Sequence, residues 1–239
     1  MWDFHFSIIG FVTGFLAWAA IGFLAYRINR KQDVKPGLWK MALVIIAGLF
    51  SFSINWPMFG TVIRLSILPL GVWILYAVLK SKDGRWETYR RFAWLGFWAN
   101  FIFLISAFIS MPIHDAFYPE EKPSTYISNV RNASLIPIHP SAGDRSLNKK
   151  VMTSQLDNFE TDRIMSQEWY QETYMNPDMN KKNERFPYLL IGVKPKWGSG
   201  IKSIIYIEND GKGMLISAAG KQSYFRAGTS IFKEGKQSE

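Results

Sequence analysis

"RINRKQDVKPGLWK", residues 27–40, holds five cationic side chains against one anionic one, and its neighbours decide how the chain is read. To its left runs "FSIIGFVTGFLAWAAIGFLAY" (6–26) and to its right "MALVIIAGLFSFSINWPMF" (41–59), neither with a formal charge. A basic run between two such segments reads as a loop held on one side of a bilayer. The alternative, a basic patch for nucleic acid, fails on where the charge lies. Of the net +9, residues 1–112 carry 11 Lys and Arg against 4 Asp and Glu, while 113–239 carry 17 against 15. The excess belongs to the hydrophobic half, so no nucleic-acid partner is expected.

Four segments qualify as spanning helices: about 6–26, 41–59, 61–79 and 92–113. A hydrocarbon core of about 30 Å needs roughly 20 residues at about 1.5 Å each. The third reaches that length only by taking in Arg64, whose long stem can carry its guanidinium to the headgroups. Segment 6–26 lacks the positive start of a cleaved signal peptide, since its cations follow the apolar run. The fold class expected is a membrane protein: a four-helix transmembrane region (1–112), an exit linker (113–123), and a small extracytoplasmic α+β domain (124–239) with a helix packed on an antiparallel sheet.

Orientation follows from the cations. Arg27, Arg30, Lys31, Lys35 and Lys40 flank the first loop, and Lys80, Lys82, Arg85, Arg90 and Arg91 flank the third. "NWPMFG" between the second and third segments has none. Positive loops stay in the cytoplasm, so both the N-terminus and 113–239 are expected outside a plasma membrane of bacterial type. The basic loops then act as topological anchors and meet anionic lipid. The lipid bilayer is thus the first partner, with a membrane protein or a second copy of the chain next. Gly10 and Gly14 have the small-residue spacing that allows close helix contact, with ordinary packing as the bland alternative. Pro57 and Pro69 are expected to break or kink helices.

Asn55, Arg64 and Asn100 are the notable polar groups at membrane depth. They read either as a polar path for a substrate or ion, or as interhelical hydrogen bonding plus one snorkelled arginine; the second is the simpler reading.

Beyond residue 113 the texture is that of a soluble module. Residues 151–175 have apolar positions at mixed threes and fours, which predicts a helix stopped by Asn176-Pro177. "SLIPIHP" reads as an edge strand or extended linker. "FPYLLIGV", "IKSIIYIE", "MLISAA" and "KQSYFRA" read as strands, with "NDGKG" as a hairpin turn. Residues 113–180 are acidic (6 cations, 10 anions) and 181–239 basic (11 against 5). Internal complementarity accounts for this as simply as an anionic ligand does.

Chemistry is sparse. With no cysteine there are no disulfides, thiolate ligands or thiol nucleophiles. His5, His114 and Asp115 could converge at the outer surface as a metal site, but no ligand spacing supports them. "KWGSGIK" only loosely resembles a nucleophile elbow and is more simply a loop. No cofactor is implied. The leading expectation is a non-enzymatic membrane protein whose outer domain binds or senses an envelope ligand or regulates a membrane partner. The alternatives are a small transporter or channel-like subunit using Asn55, Arg64 and Asn100, or an envelope enzyme or metal-binding protein using His114 and His139.

Overall fold

A computed structural model describes residues 7–58, 61–81, 84–174, 184–218 and 220–233. The chain divides into two units, one of residues 9–113 and one of 1–8 with 114–239.

In the first unit, α1 (Ile8–Arg30) and α4 (Arg85–Phe117) are the two helices long and apolar enough to cross a membrane among the described residues. At about 1.5 Å per residue they extend about 34 and 50 Å. They run antiparallel: Trp18 meets Phe103 edge-to-face at 5.2 Å, while Gln32 Nε2 donates to the Thr88 carbonyl at 3.0 Å. That second bond fastens the 31–37 loop to the start of α4, so the two basic loops share one end of the unit. Pro112 lies inside α4 without ending it.

The chain between these helices departs from the expected pair of spans. In place of helices over 41–59 and 61–79 it forms α2 (Leu38–Gly48), β1 (Phe52–Met58), β2 (Thr61–Leu68) and α3 (Leu70–Leu79). Eleven and ten helical residues extend only about 15–17 Å, half of a hydrocarbon core. The strands pair antiparallel, with Ser53 opposite Ser66, Asn55 opposite Arg64 and Pro57 opposite Val62. The reason is a change of period: Phe52, Ile54 and Trp56 alternate with Ser53 and Asn55, which suits a pleat and not a helix. Pro69 then stands immediately before α3, where its missing N–H costs no helical bond.

These short elements pack by backbone contact. A Cβ on Gly71 would collide with the Ala47 carbonyl, and the Gly71 N–H donates to the Phe50 carbonyl at 2.7 Å. Gly48 and Gly96 bring α2 equally close to α4. The small-residue spacing at Gly10 and Gly14 marks no close contact at Gly14, where a Cβ would meet nothing within 4 Å.

The second unit is built on a six-stranded antiparallel sheet in the order β3-β5-β6-β7-β8-β4. Its strands are β3 (Ser134–Pro137), β4 (Glu160–Asp162), β5 (Tyr188–Ile191), β6 (Ser203–Ile207), β7 (Gly213–Ala218) and β8 (Lys221–Arg226). The residues read as strands form β5 to β8, and "SLIPIHP" supplies an edge. The turn at "NDGKG" joins β6 to β7 with Gly211 at φ +70° and Asp210 Oδ1 accepting from the Lys212 N–H at 2.8 Å.

The single helix expected over 151–175 is interrupted. After a helical turn α5 (Pro123–Tyr126), the chain makes α6 (Lys149–Gln155), a 3-10 turn (Leu156–Asn158), β4, and α7 (Ser166–Tyr174). Asn148 caps α6, its side chain accepting from the Val151 N–H at 3.3 Å. Met152, Leu156 and Phe159 are buried, whereas Ile164, Met165 and Tyr170 are exposed. The apolar positions therefore never formed one face, and the stretch between them closes the sheet edge on β8 instead.

One side of the sheet is the core. Tyr188, Leu190, Ile205, Ile207, Met214, Ile216 and Phe225 pack there with Tyr126, Ile127, Met152 and Leu156.

Candidate functional sites

The polar groups of the first unit converge. Asn55 and Arg64 are cross-strand partners on the hairpin. Arg64, Ser66 and Asn100 line one cavity of about 290 Å³ between β2 and α4. Asn100 also closes the end of α2: its Nδ2 donates to the carbonyls of Leu49 at 3.2 Å and Phe97 at 3.0 Å. Ser66 is buried in a hydroxyl cluster, receiving a hydrogen bond from Ser51 at 2.9 Å with Ser53 Oγ 3.3 Å away. Arg64 thus pairs with Asn55 on the hairpin and shares a cavity with Asn100, which spends its donors on structure. The signal that could have located this hairpin is the period-2 alternation of serine, asparagine and arginine within an apolar stretch.

Cations of the basic loops gather at the other end of the first unit. Lys35, Lys40 and Arg85 border a shared cavity beside Val44, Leu75 and Tyr89, and Arg90 and Arg91 lie near Trp94 and Trp98. Lys82 lies outside the described residues.

In the second unit the site missed at the sequence level is the sheet face opposite the core. Glu208 is 6% exposed and holds both flanking guanidiniums: Arg185 Nη2 at 2.8 Å and Arg226 Nη1 at 2.5 Å. The Tyr224 hydroxyl donates to the same carboxylate at 2.7 Å, and Arg226 Nη2 pairs with Asp210 at 2.6 Å. Trp169 of α7 roofs the group, with the Arg185 guanidinium 4.8 Å from its ring centroid and the Tyr224 ring 5.1 Å away, edge-on. Gly213 makes room, since a Cβ there would strike Glu208 Oε2 and the Tyr224 hydroxyl. Burial, then the bond to the Glu208 carboxylate, raises the Tyr224 phenol above its ordinary pKa. All the charges of this group come from within the basic half, and an ion pair that joins that half to the acidic one is Lys221 with Glu120 at 3.2 Å.

Beside this ion group the same face continues as an apolar row. Register places Tyr224, Leu215, Tyr206, Leu189 and Ile136 side by side, with Ile204 and Ile191 in the next row. Ile136, Ile191 and Ile204 are exposed, and Ile204 is half-accessible at 52%. Sequence alternation contained this face, but strands apolar on both sides do not reveal which side is covered.

The histidines do not assemble. His5 lies outside the described residues. His114 donates from Nε2 to the Ser199 carbonyl at 2.9 Å, with the neighbouring Asp115 carboxylate 3.9 Å from Nδ1. His139 Nδ1 lies 2.8 Å from Ser141 Oγ, within its own turn. No cluster of three His, Asp or Glu able to hold a metal occurs among the described residues. Ser199, from the loose elbow, is buried in a loop between Gly198 and Gly200, both at positive φ. No family model, curated protein or solved structure matches this chain.

Proposed function

We propose that the chain is a non-enzymatic multi-pass protein of the plasma membrane, with the domain of residues 124–239 held outside to bind an envelope ligand or membrane partner. The observation that carries the reading is the second sheet face. It is anchored at one end by the Glu208 ion group and open at the other through Ile204, Ile191 and Ile136. A contiguous apolar strip with a polar border is the composition of an interaction surface. The topology is supported by the two long apolar helices and by the bond from Gln32 to Thr88 that holds both basic loops at one end.

A photo-crosslinking residue placed at Ile204 in living cells tests this, with Asp157, exposed within the 3-10 turn, as the control position. The expected result is a discrete adduct from position 204 alone. Equal adducts from both positions, or none from 204, would remove the reading. A second reading, the transporter subunit, has in its favour the pairing of Arg64 with Asn55 and its shared cavity with Asn100. It requires Arg64→Leu to abolish flux of a candidate solute in reconstituted vesicles.

A further inference from the structure

Among the described residues Arg64 has no counter-charge. The described acidic residues of 1–112 are Asp33 and Glu87, both in or beside the basic loops, and neither lines the cavity at Arg64. Among the described residues no ion pair or side-chain hydrogen bond engages Arg64. The other polar side chains lining the cavity are already committed: Asn100 gives its amide hydrogens to Leu49 and Phe97, and Ser66 belongs to the serine cluster. The guanidinium is therefore the group left to meet whatever enters. The rest of the cavity wall is apolar, chiefly Phe103, Leu104, Ala107 and Phe108 of α4.

A single cation at the head of an apolar groove complements a molecule with one anionic head and a hydrocarbon tail. We propose that this groove binds an anionic phospholipid, its phosphate on the Arg64 guanidinium and one acyl chain along Phe103, Leu104 and Phe108. Guanidinium and phosphate match as a bidentate pair, and the pairing gains strength where water is scarce. The proposal rests on the reading that this unit lies in a bilayer.

The test uses the full chain in neutral maltoside micelles, titrated with phosphatidylglycerol and separately with phosphatidylcholine. Bound lipid is counted by native mass spectrometry. Phosphatidylglycerol is expected to be retained over phosphatidylcholine, and Arg64→Gln to weaken it by about tenfold or more, the worth of a charge-assisted hydrogen bond. Arg64→Lys restores part of the affinity, Ala107→Phe lowers it by filling the chain slot, and Lys150→Gln, an exposed cation of the second unit, leaves it unchanged. Equal retention by wild type and Arg64→Gln, or an equal loss from Lys150→Gln, overturns the site. Should Arg64→Gln fail to fold, unchanged retention in Ala107→Phe overturns it as well. Flotation with neutral phosphatidylcholine vesicles separates the two ideas. A chain that does not float removes the bilayer reading, whereas one that floats and binds lipid equally in both Arg64 forms removes only the site.

Discussion

Gly48 and Gly96 touch backbone to backbone: a Cβ on Gly96 would lie 2.8 Å from the Gly48 Cα, and one on Gly48 would lie 3.1 Å from the Gly96 Cα. Helices can approach this closely only where both carry hydrogen in place of a side chain, and in lipid such contact replaces the missing hydrophobic drive. α2 is too short to be held by length, so this contact fastens it to α4, while Gly71 against Ala47 fastens α3 to α2.

Gly96→Ala is accordingly expected to destabilise the first unit by about 1–3 kcal/mol, the usual cost of overpacking. Gly14→Ala, with open space around it, should be neutral or slightly stabilising through helix propensity. Denaturant midpoints of the two variants in the same detergent check this, and equal midpoints would contradict the packing.

Glu208→Ala removes the shared partner of two guanidiniums and leaves them partly buried without it. A loss of about 2–3 kcal/mol is expected, since Arg226 retains Asp210 and some access to water. Gly213→Ala should cost about 1–3 kcal/mol by pushing a methyl group into the same carboxylate. Because both act on one group, the double variant should lose less than the sum, which a double-mutant cycle measures.

Alkaline pH should weaken the second unit. Burial, then the charge of Glu120, pushes the Tyr126 phenol up to about 12, and the Tyr224 phenol is also raised. Both phenols are neutral in the fold, and an unfolded tyrosine titrates near about 10. Their contribution is complete below about pH 10 and is lost as pH rises through the folded values, between about 10 and 12 for Tyr126. Unfolding midpoints from pH 8 to 12 should fall only above about 10, and Tyr126→Phe should flatten part of that fall. A Tyr126→Phe profile identical to wild type would exclude its part.

Orientation can be read with one cysteine, because the chain has none of its own. Gly211, at the β6–β7 turn, is the wrong place: its φ is +70° and a side chain would run into Ser230 and Phe232. Thr229 is exposed in the loop after β8. Thr229→Cys is expected to react with a membrane-impermeant maleimide in intact cells. Labelling only after permeabilisation would invert the topology and place Arg27 to Lys40 outside.

The broad partition was legible in the residues themselves. Uncharged runs around Arg27, Lys40 and Arg85 mark the apolar unit because hydropathy and charge are local properties. Turn chemistry at Asp210-Gly211 and the strands from Tyr188 to Arg226 were legible for the same reason. Local pattern misled where two periods compete: an apolar stretch of helical length absorbed the alternation of Ser53, Asn55, Arg64 and Ser66, and hydropathy does not register a pleat. The run of 151–175 misled because Ile164 and Met165 count as apolar whether or not they share a face with Met152. Only the tertiary structure decided that Gly48 meets Gly96, that Arg64 of the hairpin shares a cavity with Asn100, and that Glu208 gathers Arg185, Tyr224 and Arg226. Each joins residues distant along the chain, and such contacts depend on which backbones can approach and which side of a sheet is covered, quantities no local window contains.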